Sequence, residues 1–126
     1  MTAARLKSQN GDLLVRDGSV DTSIKSGIAK VLEKHDDAHN IDNSMNVSTL
    51  TDNGAGDTTV NYTNSMVNIH QYVVNGTGND STQNRWVKTS ANETYTTSTH
   101  RYVVINSAVG DTDSLVNCSI VHGDLA

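Results

Sequence analysis

The stretch NVSTLTDNGAGDTTVNYT, residues 46–63, decides how the rest of this 126-residue chain is interpreted. Its two flanks, 47–51 and 58–63, are rich in valine and threonine, and β-branched side chains suit a pleated, half-buried surface. Between them lies Asp-Asn-Gly-Ala-Gly-Asp at 52–57. Glycine and asparagine accept positive φ at little cost, and aspartate side chains bond nearby backbone groups. The stretch therefore predicts one β-hairpin.

Further strand signals follow the hairpin, separated by turn signals rich in Gly, Asn and Asp. The strand signals are 66–74, 85–89, 95–106 and 116–120, and the turn signals are 75–80, 90–93 and 110–113. Short strands at intervals of roughly ten residues, with no convincing helix, are typical of all-β domains. We predict an antiparallel β-sandwich, or a flattened barrel, of about seven or eight short strands.

The segment 26–36 gives conflicting signals. Ile28, Val31 and Leu32 have the i, i+3, i+4 spacing of an amphipathic helix. The apolar pattern is short, however, and helices that short depend on tertiary packing. From these residues alone, strand and helix both stay open for 28–36, and the polar residues 36–40 predict a loop.

Residues 1–27 have the least hydrophobic pattern of the chain. Residues 13–15 could form a short strand, with turn signals at 8–12 and 17–19. We interpret 1–27 as an N-terminal arm, with at most one short hairpin and a possible role in docking; a flexible terminus is the alternative. The β-sandwich domain is assigned to 28–126.

The hairpin resembles one that recurs in small β-domains of virion structural proteins of tailed bacteriophages, in tail fibres, appendages and capsid decorations. Residues 29–44 look like the family's strand-loop lead-in, and 114–124 like its closing strand, which ends in Gly-Asp. The chain departs from the family pattern at 31–33, where a Trp-containing strand is common, and at Tyr62, where Phe is usual. The resemblance implies a strand at 28–36 and a structural role in the virion.

Composition limits the core that this chain can build. Only 35% of residues are hydrophobic, Phe is absent and Trp occurs once. Folding must offset roughly 1–2 kcal/mol of backbone entropy per residue. We therefore predict that part of the apolar burial lies between subunits, in a homotrimer, since a partner that binds the native state stabilises it.

Charge and hydropathy exclude several classes of partner. The net charge is −5 and no run of Lys or Arg exists, so binding to nucleic acid through phosphates is not expected. No stretch approaches the ~18 apolar residues of a membrane span. The start of the chain lacks the apolar core of a secretory signal. We expect synthesis in the host cytoplasm and a final location in the virion.

Two loops could hold metal ions. His35 and His39 flank two aspartates, a donor set that suits a divalent cation, but a loop does not fix their geometry. The turn 52–57 lacks the register and terminal Glu of a calcium loop. A solvated loop and a plain turn explain these residues better, so we predict no metal and no cofactor.

No catalytic motif is present. The chain has no Gly-x-Ser-x-Gly, and Glu33 and Glu93, the only glutamates, stand in no recognisable pattern. Cys118 is expected to be a small buried hydrophobe, and four strand residues place His122 about 13 Å from it. We predict that the protein is not an enzyme. His70 and His100 are expected to lie on strand faces.

Trp86 and Tyr95 are candidates for surface recognition. They lie beside the polar loops 75–84 and 90–94, and aromatic rings with nearby polar groups are common in sugar sites. The alternative, favoured by the scarcity of other large apolar residues, is that Trp86 belongs to the core.

These observations give two functional hypotheses. The first is a structural component of a tailed-phage virion, either a capsid decoration or head-fibre protein or part of a tail fibre or tail tip, which associates with itself and with other virion proteins. The second is a β-sandwich module that binds a carbohydrate or a receptor, such as a host-surface glycan.

Overall fold

The computed structural model describes residues 28–70, 73–81, 84–89, 95–108 and 110–126 in full, and the backbone of 5–9, 12–17 and 20–23. This part of the chain forms eleven strands, all paired antiparallel, and no helix. The strands are β1 Arg5–Gln9, β2 Asp12–Asp17, β3 Val20–Ser23, β4 Ala29–His35, β5 Ile41–Met45, β6 Val47–Gly54, β7 Asp57–Tyr62, β8 Val73–Asn79, β9 Trp86–Thr89, β10 Thr99–Ile105 and β11 Val116–His122. No helix that could span a membrane occurs in these ranges.

Eight of the strands form a β-sandwich. One four-stranded sheet, the hairpin sheet, has the order β6-β7-β10-β9. The other, the closing sheet, has the order β5-β4-β11-β8. The expected all-β antiparallel sandwich is confirmed. Strands β1–β3 form a separate three-stranded sheet in the N-terminal arm, where we expected no more than one hairpin.

The predicted hairpin is β6 and β7. The Asp52 carboxylate accepts a hydrogen bond from the Gly54 amide (2.8 Å), as expected of turn chemistry. The turn also contacts the end of β10 and the connection between β10 and β11. The Gly56 amide donates to Asp113 Oδ1 (2.7 Å), and the Gly56 carbonyl accepts from the Val104 amide (2.8 Å). The hairpin is therefore held by tertiary bonds as well as by its own sequence.

Segment 28–36 is resolved in favour of a strand, since β4 runs from Ala29 to His35. Its residues alternate between the sandwich interior and the outer face, which excludes the helical interpretation. Strand β5, which pairs with β4, falls in a region where we identified no strand.

The strand predicted at 66–74 is wrong. Residues 66–70 form an isolated bridge and turns, and β8 begins at Val73. Strand β8 then continues through 75–79, which we interpreted as a loop because of its glycines.

Close packing explains the glycines of β8. A Cβ atom at Gly76 would lie 2.7 Å from a methyl group of Val87, and one at Gly78 would lie 3.0 Å from a methyl group of Val104. Glycine in a strand often marks such an approach. These glycines therefore let β8 lie close to β9 and β10, and do not break the strand.

The interior of the sandwich contains both apolar and polar side chains. The buried apolar cluster is Val31, Val60, Tyr62, Met66, Tyr102, Val104 and Val121. The buried polar residues are Glu33, His35, Thr58, His100, Ser114, Asn117 and Ser119. Protein interiors seldom bury so many polar groups without hydrogen bonds between them.

Replacing Gly56 by alanine should destabilise the fold strongly. Gly56 has φ +67°, and a Cβ atom there would press on the carbonyl oxygens of Thr112 and Val104. Strain and overpacking of this kind cost roughly 2–5 kcal/mol together. Urea denaturation should show this loss for Gly56→Ala. The control Gly110→Ala, whose nearest contacts are at 3.7 Å, should be nearly neutral. Equal effects of the two substitutions would contradict the docking of the turn.

Candidate functional site

The sandwich interior contains a hydrogen-bond network that begins on β4. Alternation turns Glu33 and His35 inward, and both are fully buried. The Tyr102 hydroxyl donates to Glu33 Oε1 (3.0 Å) and lies 2.8 Å from His35 Nε2. Because β4 and β10 belong to different sheets, Tyr102 links the two layers.

A second link runs through His100 of β10. Its Nδ1 lies 2.8 Å from the Tyr62 hydroxyl, and its Nε2 lies 2.9 Å from Ser119 Oγ. Ser119 lies on β11, so this link also joins the hairpin sheet to the closing sheet. We call the six members of both links the buried chain: Glu33, His35, Tyr62, His100, Tyr102 and Ser119.

The loop after β4 adds a neighbour to this group. The His39 ring stacks on the His35 ring, with centroids 5.0 Å apart, and its Nε2 lies 2.9 Å from Thr58 Oγ1. The loop is held by Asp36, whose carboxylate accepts from the Asn40 amide (2.8 Å) and side chain (2.9 Å). These bonds lower the pKa of Asp36.

Burial shifts the pKa values of Glu33 and His35, the two inward-facing titratable residues of β4. It raises the pKa of Glu33 to about 7, although hydrogen bonding by Ser119 and Tyr102 acts in the opposite direction. Glu33 Oε2 has no hydrogen-bond partner of good geometry among the described residues, consistent with a carboxyl group that is costly to ionise. Burial lowers the pKa of His35, partly offset by its bond to the Asp36 carbonyl.

On β10, burial lowers the pKa of His100 to about 4. It also raises the pKa of Tyr102, with the charge of Glu33 as the next cause. At neutral pH the His100 imidazole is therefore uncharged, with one donor and one acceptor nitrogen.

The hydrogen bonds that join Ser119 to His100 and His100 to Tyr62 have the lengths expected between a nucleophile, a base and the group that orients the base. All three are buried, with 2%, 1% and 7% of their surface exposed. The Ser119 side chain is therefore shielded from solvent in this conformation, and the arrangement connects the two sheets.

The side chains of the two candidate metal loops make hydrogen bonds to other protein groups. His35 and His39 bond hydroxyl groups, as described above. In the turn 52–57, Asp52 caps Gly54, and the Asp57 carboxylate accepts two bonds from Arg101, each 2.7 Å long. The described residues contain no group of three or more His, Cys, Asp or Glu suited to a metal.

The outer face of the closing sheet carries a shallow groove of about 280 Å³. Its apolar residues come from two paired strands: Leu32 of β4, and Cys118 and Ile120 of β11. Cys118 is only partly buried, so the expected buried cysteine is wrong. Polar residues Lys34 and Asn43 also line the groove.

Exposed apolar side chains lie on the edge strands beside this groove. Met45 on β5 pairs in register with Leu32, and Val73 lies on β8; they are 44% and 62% exposed. Across the described residues, nine large hydrophobic side chains are exposed and eight hydrophobic residues are buried. Many of the large apolar side chains of the subunit therefore lie outside its own core.

Trp86 is not a core residue. It begins β9 and is 49% exposed, while Val87 packs against the core instead. Tyr95 is 39% exposed and follows residues 90–94, which lie outside the described part of the chain. Both surface-recognition candidates are accessible. His70 lies in an exposed turn and not on a strand face, whereas His100 lies on β10 as expected.

Comparisons with known proteins find no match: no family model, no curated protein and no solved structure is significantly similar to the chain. The resemblance to phage virion domains therefore stays a prediction from the hairpin and its flanks.

Replacing Glu33 by glutamine should stabilise the protein at alkaline pH. The folded pKa of Glu33 is raised from 4.5 to about 7, so folding loses stability as the pH rises through this window. Glutamine keeps the shape and cannot ionise. Relative to the wild type, Glu33→Gln should gain about 3 kcal/mol at pH 8.5 and almost nothing at pH 4.5.

Urea denaturation at both pH values measures this difference. Asp42→Asn is the matched control, because Asp42 is half exposed and paired with Lys34 at the surface. A pH-independent effect of Glu33→Gln would show that Glu33 does not titrate in this window.

Proposed function

We propose that this protein is a structural component of a tailed-phage virion, which associates with copies of itself and with other virion proteins. The observation that carries the proposal is where the polar and the large apolar side chains lie in the subunit. Polar groups occupy inward positions on β4, β7, β10 and β11, while large apolar side chains remain on the surface. A chain of this kind gains further burial when it assembles.

The outer face of the closing sheet is the surface best suited to this association. Contiguous exposed apolar patches often mark interaction sites. Full burial of a side chain such as valine or methionine contributes about 1.5–3 kcal/mol. Met45 and Val73 beside the groove are exposed on the subunit, so a partner on this face would bury both.

The virion location rests on the hairpin. Residues 46–63 and their flanks resemble tailed-phage structural domains, and the sandwich built on that hairpin is a fold that such domains use. A homotrimer that decorates the capsid, or that forms part of a tail fibre or tail tip, remains the form that we propose. Assembly on a particle made in the host cytoplasm would not require secretion.

Analytical ultracentrifugation tests the association. The wild type should sediment as an oligomer, and Met45→Lys and Val73→Lys should each weaken association by about tenfold or more, because a buried charge is costly. Thr51→Lys, on an exposed position of β6, is the matched control and should leave association unchanged. Unchanged thermal melting of dilute variants would show that folding is intact.

A monomeric wild type at all concentrations would contradict self-association. An oligomer that tolerates both lysines would show that another surface is used. Mass spectrometry of purified phage particles tests the virion assignment separately.

A second candidate function is binding of a host-surface glycan, and the exposure of Trp86 favours it. Exposed indole rings stack on sugar faces, and their loss usually removes such binding. Trp86→Ala should abolish glycan binding in an array or by calorimetry while changing stability by less than about 1 kcal/mol. Leu115→Ala is the control, because Leu115 is 51% exposed, close to the 49% of Trp86. If the wild type binds no glycan, this candidate fails.

A further inference from the structure

The strand register of the N-terminal arm gives its three-stranded sheet, which we call the arm sheet, two different faces. Residues that pair directly across antiparallel strands, or that lie two apart on one strand, share a face. By this rule, the leucines and valines of β1–β3 fall on one face, with the single exception of Leu14. This face, the apolar arm face, contains Leu6, Ser8, Leu13, Val15, Asp17, Val20 and Thr22.

The apolar arm face has no covering layer in the described part of the subunit. Among the described strands, β1–β3 contact one another, and none of them makes extensive contact with a strand of the sandwich. A sheet with one apolar face is stabilised when that face packs on another element. The arm sheet therefore needs a partner that its own sandwich does not provide in this structure.

We propose that the apolar arm face of one subunit packs on the outer face of the closing sheet of a second copy, over its apolar groove. Each subunit then places its arm on one neighbour and accepts the arm of another. This inference rests on the proposed self-association, and it names the segment that covers the groove. A head-to-tail contact of this kind closes into a ring when its rotation permits, and a ring of three is the proposed homotrimer.

The outer face of the closing sheet presents apolar side chains in a row across its strands. In register, this row contains Met45 of β5, Leu32 of β4, Ile120 of β11 and Asn75 of β8. The next row contains Asn43, Lys34, Cys118 and Thr77. All of these residues except Met45 line the groove. A second apolar sheet placed here would bury hydrocarbon that the single subunit leaves in contact with water.

The dimensions of the two sheets are compatible. The arm sheet has three strands of four to six residues, and the closing sheet has four strands of five to seven residues. With neighbouring strands about 4.8 Å apart, the two backbones span roughly 10 Å and roughly 14 Å across the strands. The arm sheet therefore fits within the outline of the closing sheet, at the spacing of about 10 Å that stacked sheets adopt.

Charge favours the arm over a second sandwich as the occupant of this face. Residues 1–27 have four Lys or Arg and three Asp, a net charge of +1. Residues 28–126 have five Lys or Arg and eleven Asp or Glu, a net charge of −6, so two sandwiches repel each other. At the groove, Lys34 is 45% exposed, and its ammonium group, 3.2 Å from Asp42, keeps donors for a second carboxylate. The one charged residue of the apolar arm face, Asp17, has the opposite sign.

Cross-linking through Cys118, the only cysteine of the chain, tests the proposal in the full-length protein. The wild-type chain supplies a thiol in the groove, and Val15→Cys/Cys118→Ser supplies one on the apolar arm face. The two chains are coexpressed, and the purified protein is treated with a short bismaleimide, which joins two thiols. We expect a covalent dimer in which mass spectrometry locates the link between position 15 of one chain and Cys118 of the other. Because neither chain contains both thiols, every such link joins two subunits.

The matched control is Leu14→Cys/Cys118→Ser, because Leu14 is adjacent on β2 and lies on the opposite face. It should give a several-fold lower yield of the link to Cys118. Equal yields, or no link from position 15, would overturn the proposal. A dominant link between two copies of Val15→Cys/Cys118→Ser would also overturn it, because arms would then pack on arms. The same holds for a link that forms within single chains of Val15→Cys and is absent from the coexpressed pair, since the arm would then fold on its own sandwich.

Analytical ultracentrifugation separates failure of this inference from failure of the proposed function. Val15→Lys should weaken association by about tenfold or more, because it buries a charge, whereas Leu14→Lys should leave association unchanged. A wild type that is monomeric at all concentrations would overturn both the self-association and the arm contact. An oligomer that is weakened by Met45→Lys, tolerates Val15→Lys and gives no link from position 15 would overturn the arm contact alone.

Discussion

The Tyr102 hydroxyl, held between His35 and Glu33, joins the two sheets at a place where a β-sandwich ordinarily packs hydrocarbon. In the low dielectric of an interior such a bond is strong while every partner is present, and an unpaired member is costly. The same is true of the His100 link. The packing of the two sheets therefore depends on these hydrogen bonds as well as on apolar contact.

Two members of the buried chain place polar groups at inward positions of the strands. The Tyr62 hydroxyl is the group that meets His100 Nδ1. Glu33 lies on β4 and accepts from Tyr102. The core has few large apolar residues, and its interior is partly polar. These two features are related, because hydrogen bonds replace part of the hydrophobic contact between the sheets.

Local chemistry explains what the sequence could predict. The hairpin was predictable because the residues that reverse the chain, such as Asp52 and Gly54, bond each other. Strand β8 was missed because its glycines are needed for close packing against Val87 and Val104 of the opposite sheet. A local sequence pattern does not reveal such a contact between sheets. Glu33 escaped notice for the same reason, since its partner Tyr102 is 69 residues away. The sequence did contain a signal for these buried polar residues: histidines, tyrosines and one of the two glutamates occur within stretches that predict strands.

Strand β11 connects the sandwich interior to the proposed association surface. Its inward side carries Ser119 in the buried chain, and its outward side carries Cys118 and Ile120 in the apolar groove. Unfolding of the sandwich would displace the strand that presents the groove, so a partner bound there favours the folded state by mass action. A subunit in an assembly would then be more stable than a free one. The buried chain and the apolar groove are consequently linked through one strand, although each rests on different side chains.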